Sequence, residues 1–350
     1  MQLYPKRRWR KMKRSRIGLT EIAERDNLAR AFHVAARGKR GRDDVETFRR
    51  NFEIELPALA EALKSGSWTP APLRAFRIHD PKPRLIQAPC FRDRVVHHAV
   101  MAGVGPVLDR TLIDDTYACR PGKGTLAAVG RAREHAARYD WYCQIDIKTY
   151  FAGIDHGILL GLLRRRFKDH GLLMLLERIV SAYAGTPGRG LPIGTLTSQH
   201  FANFYLGSFD RHVLEDPRVG GLVRYMDDAV WWTGDRASAR AVCASGRAFL
   251  ADRLGLVVKE PVRIGRSRDG LNFLGLRIFP RRLWLSRRRR RRYARLRLGA
   301  ERAWLDGRLD ARGLQAAFAG ALALTAHADA ASWRREHLRR HPVDPGLAAL

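Results

Sequence analysis

Leu222-Val223-Arg224-Tyr225-Met226-Asp227-Asp228-Ala229-Val230-Trp231-Trp232-Thr233 is the stretch that decides how this 350-residue chain folds. Two β-prone runs meet at adjacent acids, the pattern of a hairpin carrying two carboxylates at its tip. Adjacent carboxylates repel, and packing alone gives no reason to set them among Val, Ala and Trp. A divalent cation removes the repulsion, and Mg²⁺ prefers oxygen ligands. An acidic hairpin tip is equally the pattern of a solvated turn. The metal reading therefore requires a third carboxylate and an anion-binding surface elsewhere in the chain.

The composition supplies the surface. Lys and Arg total 65 against 35 Asp and Glu, a formal charge of +30 and a pI near 11.2. A field of that size favours polyanions, with nucleic acid as the default partner. An anionic membrane usually calls for an amphipathic basic helix or a lipid anchor, and neither pattern is present. Cys90, Cys119, Cys143 and Cys243 are widely spaced without a C-x-x-C, which suits reduced thiols better than a disulfide framework or zinc site. The basic start, Lys6-Arg7-Arg8-Trp9-Arg10-Lys11-Met12-Lys13-Arg14, leads into no apolar run and does not read as a signal peptide. A soluble, cytoplasmic protein is expected.

The third carboxylate is Asp146, which ends the β-prone run Trp141-Tyr142-Cys143-Gln144-Ile145 and lies 81 residues before Asp227. If both runs share a sheet, the acids converge at one strand end. Carboxylates so placed can hold two metal ions that clamp the attacking and leaving oxygens of a nucleotidyl transfer. Alone, Asp146 also reads as a helix cap or turn residue.

The rest of the chain organises around these runs. Residues 1–16 read as a flexible basic arm. Apolar residues recur at helical spacing from Leu28 to Ala35 and from Phe48 to Leu63, with a Gly-Lys-Arg-Gly-Arg break at 38–42. Residues 68–83 are Pro-interrupted and extended; 84–88 read as a strand and 95–107 as an apolar helix. Helices follow at about 156–168 and 172–184. One helix is expected after Ser198, with Phe201, Tyr205, Phe209 and Val213 on a common face. A helix over 237–254 and short strands at 256–259 and 272–279 come next. Arg281 to Arg297 holds ten arginines and no acid, with Trp284 and Tyr293 interleaved, before an Ala/Leu-rich helical tail. Strands interspersed with helices and joined by hairpins indicate an α+β fold.

On these residues the chain resembles the reverse transcriptases. Asp146-Ile147-Lys148-Thr149-Tyr150-Phe151 is similar to their motif A and Tyr225-Met226-Asp227-Asp228 to motif C. Leu191-Pro192-Ile193-Gly194-Thr195-Leu196-Thr197-Ser198-Gln199 resembles motif B. Lys82-Pro83-Arg84-Leu85-Ile86 and Phe91-Arg92-Asp93-Arg94-Val95-Val96 are similar to fingers motifs of group II intron-like enzymes, and Tyr117 to Gly124 to the arginine–glycine loop that follows them. Leu254 to Lys259 resembles motif D and Asn272-Phe273-Leu274-Gly275 motif E. The matches run in order over residues 20–335. Ile193 and Gln199 in motif B, where most such enzymes carry Gln and Pro, resemble the variant found in diversity-generating retroelements, whose enzymes copy template adenines with frequent errors.

The resemblance implies a right-hand polymerase with fingers, a palm of antiparallel sheet packed on helices, and a short helical thumb. The expected divisions are 1–16 arm, 17–140 N-terminal helices and fingers, 141–280 palm, and 281–350 basic segment and thumb. It implies Asp146, Asp227 and Asp228 as catalytic acids. They and the Ile147 carbonyl would hold two Mg²⁺ ions, for which Mn²⁺ can substitute. Lys82 and Arg84 would grip the dNTP triphosphate, Phe151 would exclude a 2′-hydroxyl, and Ile193, Gly194 and Gln199 would border the nucleotide. Lys259 would protonate the leaving group. Arg120, Arg287, Arg288, Arg289, Arg290, Arg291 and Arg292 would contact the nucleic acid. Expected partners are a template RNA, an RNA/DNA primer-template and a small basic accessory protein, itself able to oligomerise, in a bacterial or phage-encoded system. Two other readings are a retron-like or phage-defence reverse transcriptase of ordinary fidelity, and an RNA-binding scaffold without activity.

Overall fold

The computed structural model describes residues 13–79, 83–182 and 185–342. The N-terminal part runs α1 (Leu19–Ile22), α2 (Arg25–Ala36), α3 (Asp43–Arg50), α4 (Phe52–Lys64), β1 (Arg74–His79), β2 (Pro83–Ala88), α5 (Phe91–Asp109) and α6 (Thr125–Arg138). The central part is β3 (Trp141–Ile145), α7 (Tyr150–Gly153), α8 (His156–Arg164), α9 (His170–Ser181), α10 (Leu196–Tyr205), α11 (Gly207–Glu215), β4 (Val219–Tyr225), β5 (Asp228–Thr233), α12 (Arg236–Leu254) and β6 (Arg263–Arg266). The chain closes with β7 (Leu271–Phe273), β8 (Leu276–Ile278), β9 (Leu283–Leu285), α13 (Arg287–Leu305), α14 (Ala311–Ala323) and α15 (Ala331–Arg340).

The central sheet is antiparallel in the order β4-β5-β3-β6. Side chains alternate across it, so each face has its own core. Cys143, Ile145, Leu222, Ala229 and Trp231 face the large core shared with α5 and α8 to α12. Tyr142, Val223, Val230 and Trp232 face α6 and the small sheet β7-β8-β9. Trp231 and Trp232 are fully buried on opposite faces and pin β5 between the two cores. Burying a ring of ~200 Å² at ~25 cal/mol/Å² contributes about 5 kcal/mol before entropy is counted. This α+β architecture, sheet packed on helices with a helical C-terminal unit, is the one the sequence leads us to expect.

Several elements differ from expectation. The helix after Ser198 is two helices that meet at Leu206, although Phe201, Tyr205, Phe209 and Val213 are all buried as expected. Residues 256–259 form no strand; Val258 makes an isolated bridge with Ile147, and the edge strand is β6. The extended segment 68–83 contains β1, paired with β2 in an exposed hairpin. The arginine run is helical, occupying the first turns of α13. Strand β9 completes the small sheet although it lies beyond the expected division at 280/281, because Leu285 pairs with Leu276. The arm lies mostly outside the described residues, but its end is docked rather than free: the Arg14 guanidinium donates to the Phe167 carbonyl at 2.7 Å, and Ser15 bridges Phe167.

Candidate active site

The register of the central sheet brings the acids together. Ile145 pairs with Ala229 across the β3–β5 ladder, so the next position on each strand sets Asp146 opposite Asp228. Asp227 stands in the two-residue turn that joins β4 to β5, where Tyr225 pairs with Asp228. Met226, the other turn residue, has φ of +59°, a left-handed value that costs an unbranched non-glycine residue on the order of 1 kcal/mol or more. Such two-residue hairpins favour glycine or asparagine at positive φ. The strain is offset by the surroundings of the turn.

Burial is the largest influence on the hairpin acids. It pushes the Asp227 carboxyl up to about 6, reinforced by the charge of Asp146 and a hydrogen bond with it, against the pull of Arg84. Burial likewise pushes Asp228 up to about 7, with the charges of Asp146 and Asp227 adding to it and Gln144 and Arg263 opposing it. The Gln144 amide donates to Asp228 Oδ1 at 2.8 Å and to the Asn272 carbonyl of β7 at 3.1 Å. One side chain thereby ties the acidic hairpin to the small sheet. Lys259 Nζ lies 3.1 Å from Asp146 Oδ2, with both side chains about half exposed, and its backbone N–H donates to the Asp146 carbonyl at 2.8 Å.

Three carboxylates at one strand end, two of them held above the ordinary range by burial and mutual repulsion, are a donor set suited to a hard divalent cation. Among the described residues no group of three or more His, Cys, Asp or Glu side chains is close enough to enclose a metal. Mg²⁺ commonly takes one or two carboxylates and completes its shell with substrate phosphates and water, so an open pair such as Asp146 and Asp227 fits it. Ile147, whose carbonyl was expected as a further ligand, is buried beside them and bridged to Val258.

The segment Leu191–Gln199 is built around Gly194. Its φ is +129°, and a Cβ there would meet Ile86 Cγ2 at 2.8 Å and the Gln87 carbonyl at 3.0 Å. The Gln87 N–H donates to the Ile193 carbonyl at 2.8 Å, so β2 and this loop are in backbone contact. The loop is further held by Thr195, whose hydroxyl caps α10 through the Ser198 N–H, and by buried His97, whose Nδ1 lies 2.7 Å from the Thr197 hydroxyl. Burial, with the nearby charges of His98 and Arg94, pushes His97 down to about 4 and keeps it neutral.

Of the other expected residues, Arg84 is exposed on β2 and its charge reaches Asp227, while Lys82 lies outside the described residues. Phe151 is partly buried against the large core, and its carbonyl accepts from Leu191 at 2.8 Å. Ile193 is 36% exposed rather than packed away, and Gln199 is exposed on α10 with its Oε1 3.4 Å from Cys119 Sγ. Arg287, Arg288, Arg291 and Arg292 are exposed. Arg289 and Arg290 are partly covered; Arg290 lies 5.6 Å above the Trp333 ring. Arg120 departs from expectation. Its guanidinium is bound by Asp109 at 2.6 Å and by the Ile113 and Thr116 carbonyls at 2.6 and 3.0 Å, so it stiffens its own loop and has little left to offer a phosphate.

Sequence reasoning missed Gln144, His97, Asn203, Asp210 and Arg224. Only Arg224 gave a signal: a charge inside an apolar strand must find a partner or unfold the strand. The others look unremarkable until the fold brings them together.

The family described as Reverse transcriptase (RNA-dependent DNA polymerase) matches residues 78–278, which include all three acids. Protein YkfC of Escherichia coli is 25% identical over 293 residues, covering 70% of this chain and 74% of that protein. The group II intron-encoded protein LtrA of Lactococcus lactis is 27% identical over 177 residues, covering 47% of this chain and 29% of that protein. Among solved structures, apo telomerase from Candida tropicalis, truncated from the C-terminal domain, aligns with a TM-score of 0.44 at 11% identity, covering 64% of this chain and 58% of that one.

Proposed function

Because the chain belongs to the reverse transcriptase (RNA-dependent DNA polymerase) family, we propose that it copies RNA into DNA by nucleotidyl transfer at Asp146, Asp227 and Asp228. The observation that carries this reading is the convergence of those acids across the β3–β5 ladder, with Lys259, Arg84 and Arg263 among the cations near them. Bound divalent ions would lower the pKa of the primer 3′-hydroxyl and neutralise charge on the leaving oxygen. Asp146 and Asp227 would hold them, with the Ile147 carbonyl alongside, and Asp228 would act mainly through its field and its bond to Gln144. Arg84, and Lys82 with it, would bind the triphosphate by charge-assisted hydrogen bonds. Phe151 would lie under the sugar and reject a 2′-hydroxyl. Lys259, already on Asp146, would donate a proton to the departing pyrophosphate.

Template and primer would lie against the exposed arginines of α13. Six arginines in the first turns of a helix oppose its dipole, which favours negative charge at that end. A phosphate backbone there relieves both the dipole mismatch and the mutual repulsion.

The finer reading is a mutagenic reverse transcriptase of a diversity-generating retroelement, working with a template-repeat RNA and a small basic accessory protein. Ile193 supports it: exposed beside Gly194, it has no group with which to hydrogen-bond an incoming nucleotide, so a wrong pair meets less resistance. The intron-encoded relative favours a second reading, an intron-type enzyme of ordinary fidelity. Primer extension on RNA templates followed by sequencing of the products separates them. Errors concentrated at template adenines support the first, and an even error rate over the four bases rejects it.

A further inference from the structure

Arg224 is fully buried in β4, two residues before the strained turn and three before Asp227. A guanidinium has five N–H donors, and every one is used. Nε and Nη2 donate to the two Asp210 carboxylate oxygens at 2.6 and 2.7 Å. Nη2 also donates to the Asn203 carbonyl at 2.9 Å, and Nη1 to Asn203 Oδ1 at 2.8 Å. The fifth bond runs from Nη1 to the carbonyl of Met226 at 2.9 Å.

The partners come from two helices and a loop packed against the hairpin. Asn203 lies on α10, downstream of the Gly194 loop, and its amide donates to the Ala118 carbonyl. Asp210 lies on α11 and also accepts from the Thr116 hydroxyl at 3.2 Å. The Arg224 backbone N–H donates to the Asp115 carbonyl, and the Arg224 carbonyl accepts from Tyr117, both at 2.9 Å. A buried ion pair is weak evidence for stability, since desolvation can exceed the Coulombic gain and apolar residues often serve as well. Its value here lies in the one bond that leaves the core and reaches the turn.

We propose that Arg224, oriented by Asp210 and Asn203, is the positioning residue of the catalytic hairpin. Through the Met226 carbonyl it holds the turn in its left-handed backbone, and so fixes where Asp227 presents its carboxylate to the metal and to Asp146. The network also couples α10 and the 115–118 segment to the hairpin, so that the nucleotide-facing loop and the acids keep one geometry. Groups that orient metal ligands from behind typically change metal affinity or activity by about 10- to 100-fold when altered.

The test compares the wild-type chain with Arg224→Lys, with the double variant Arg224→Met/Asp210→Leu, and with Arg224→Lys/Met226→Gly. Lysine keeps a charge for Asp210, but it is a point donor that cannot also span Asn203 and the Met226 carbonyl. The double variant removes both charges at similar volume, the replacement that tends to preserve stability. Each is assayed for Mn²⁺ binding by electron paramagnetic resonance with metal alone, for kcat and dNTP KM in primer extension, and for thermal melting.

The expected result is a rise in Mn²⁺ Kd and a fall in kcat, each about 10- to 100-fold, with dNTP KM moved less than about threefold and melting retained. Met226→Gly, which adopts the left-handed φ freely, restores part of the loss in the Arg224→Lys chain. Wild-type Kd and kcat in either folded variant overturn the proposal, as does a kcat loss that merely tracks a lowered melting temperature and is not recovered by glycine. The proposal rests on the polymerase reading of the site. Mn²⁺ binding without substrate reports on positioning even where the wild-type chain incorporates no nucleotide, so the two failures are distinguishable.

Discussion

Asp228 shows how much of the site is a matter of individual groups. Its carboxyl and that of Asp227 are pushed up to about 7 and about 6, chiefly by burial, from near 4 in an unfolded chain. Between those values the folded state binds more protons than the unfolded state, so these acids withdraw stability as pH rises through about 4 to 7. His97 works in the opposite direction, since its folded value near 4 lies below the ordinary 6.5, and it adds stability as pH rises through about 4 to 6.5. Comparing wild type with Asp228→Asn cancels the histidine. In chelator, the variant should melt higher than wild type, by a margin that widens from pH 5 to pH 8. Mg²⁺ should narrow the margin by stabilising the wild type. A margin that is flat with pH would contradict the assignment of the shift to Asp228. Lys259→Met removes the cation from Asp146 and, with the proposed proton donor gone, should lower kcat by about 10- to 100-fold while leaving the melting temperature near wild type, because the pair is half exposed. An unchanged kcat would leave Lys259 with only an electrostatic role.

At the scale of elements, Gly194 joins the loop before α10 to strand β2. Gly194→Ala forces a Cβ against Ile86 and the Gln87 carbonyl at a φ that L-residues avoid. The loop and β2 should part, raising dNTP KM several-fold with a smaller change in melting temperature; steady-state kinetics on an RNA template read this directly, and an unaltered KM would contradict it. The glycine was legible in the sequence, as were the hairpin and β3, because alternating apolar runs that end at acids leave few alternatives. Also legible were Asp146 and the buried face of α10 and α11. The register that sets Asp146 across from Asp228 was not, since strand pairing over more than eighty residues depends on packing rather than on local pattern. Gln144 and Asp210 escaped for the same reason: a lone amide or acid has no partner until tertiary structure supplies one. Arg120 misled because a glycine-flanked arginine suggests a phosphate ligand, whereas Asp109 and two carbonyls satisfy it inside the fold. The break at Leu206 is marked by Gly207-Ser208, but the apolar face that runs on through Phe209 and Val213 masks it.

For the whole molecule, the dominant fact is a charge of +30 with arginines gathered on α13. Replacing Arg287, Arg288, Arg291 and Arg292 with Gln should weaken primer-template binding uniformly over sequence. Each lost phosphate contact should reduce the log–log salt slope by about 0.7 to 0.9. Fluorescence anisotropy across a salt series measures it, and an unaltered slope would move the nucleic-acid path away from α13. Both cores pack against the inner strands β3 and β5 that carry the acids, which gives the site a packed floor beside the exposed β1–β2 hairpin. The most direct test of the account is primer extension on an RNA template with dNTPs and Mg²⁺, run with wild type, Asp146→Asn and Asp227→Asn. Wild type should extend the primer, and each variant should lose on the order of a thousandfold or more, the equivalent of several kcal/mol of transition-state stabilisation. Extension by either variant at the wild-type rate, or by wild type in excess chelator, would contradict it.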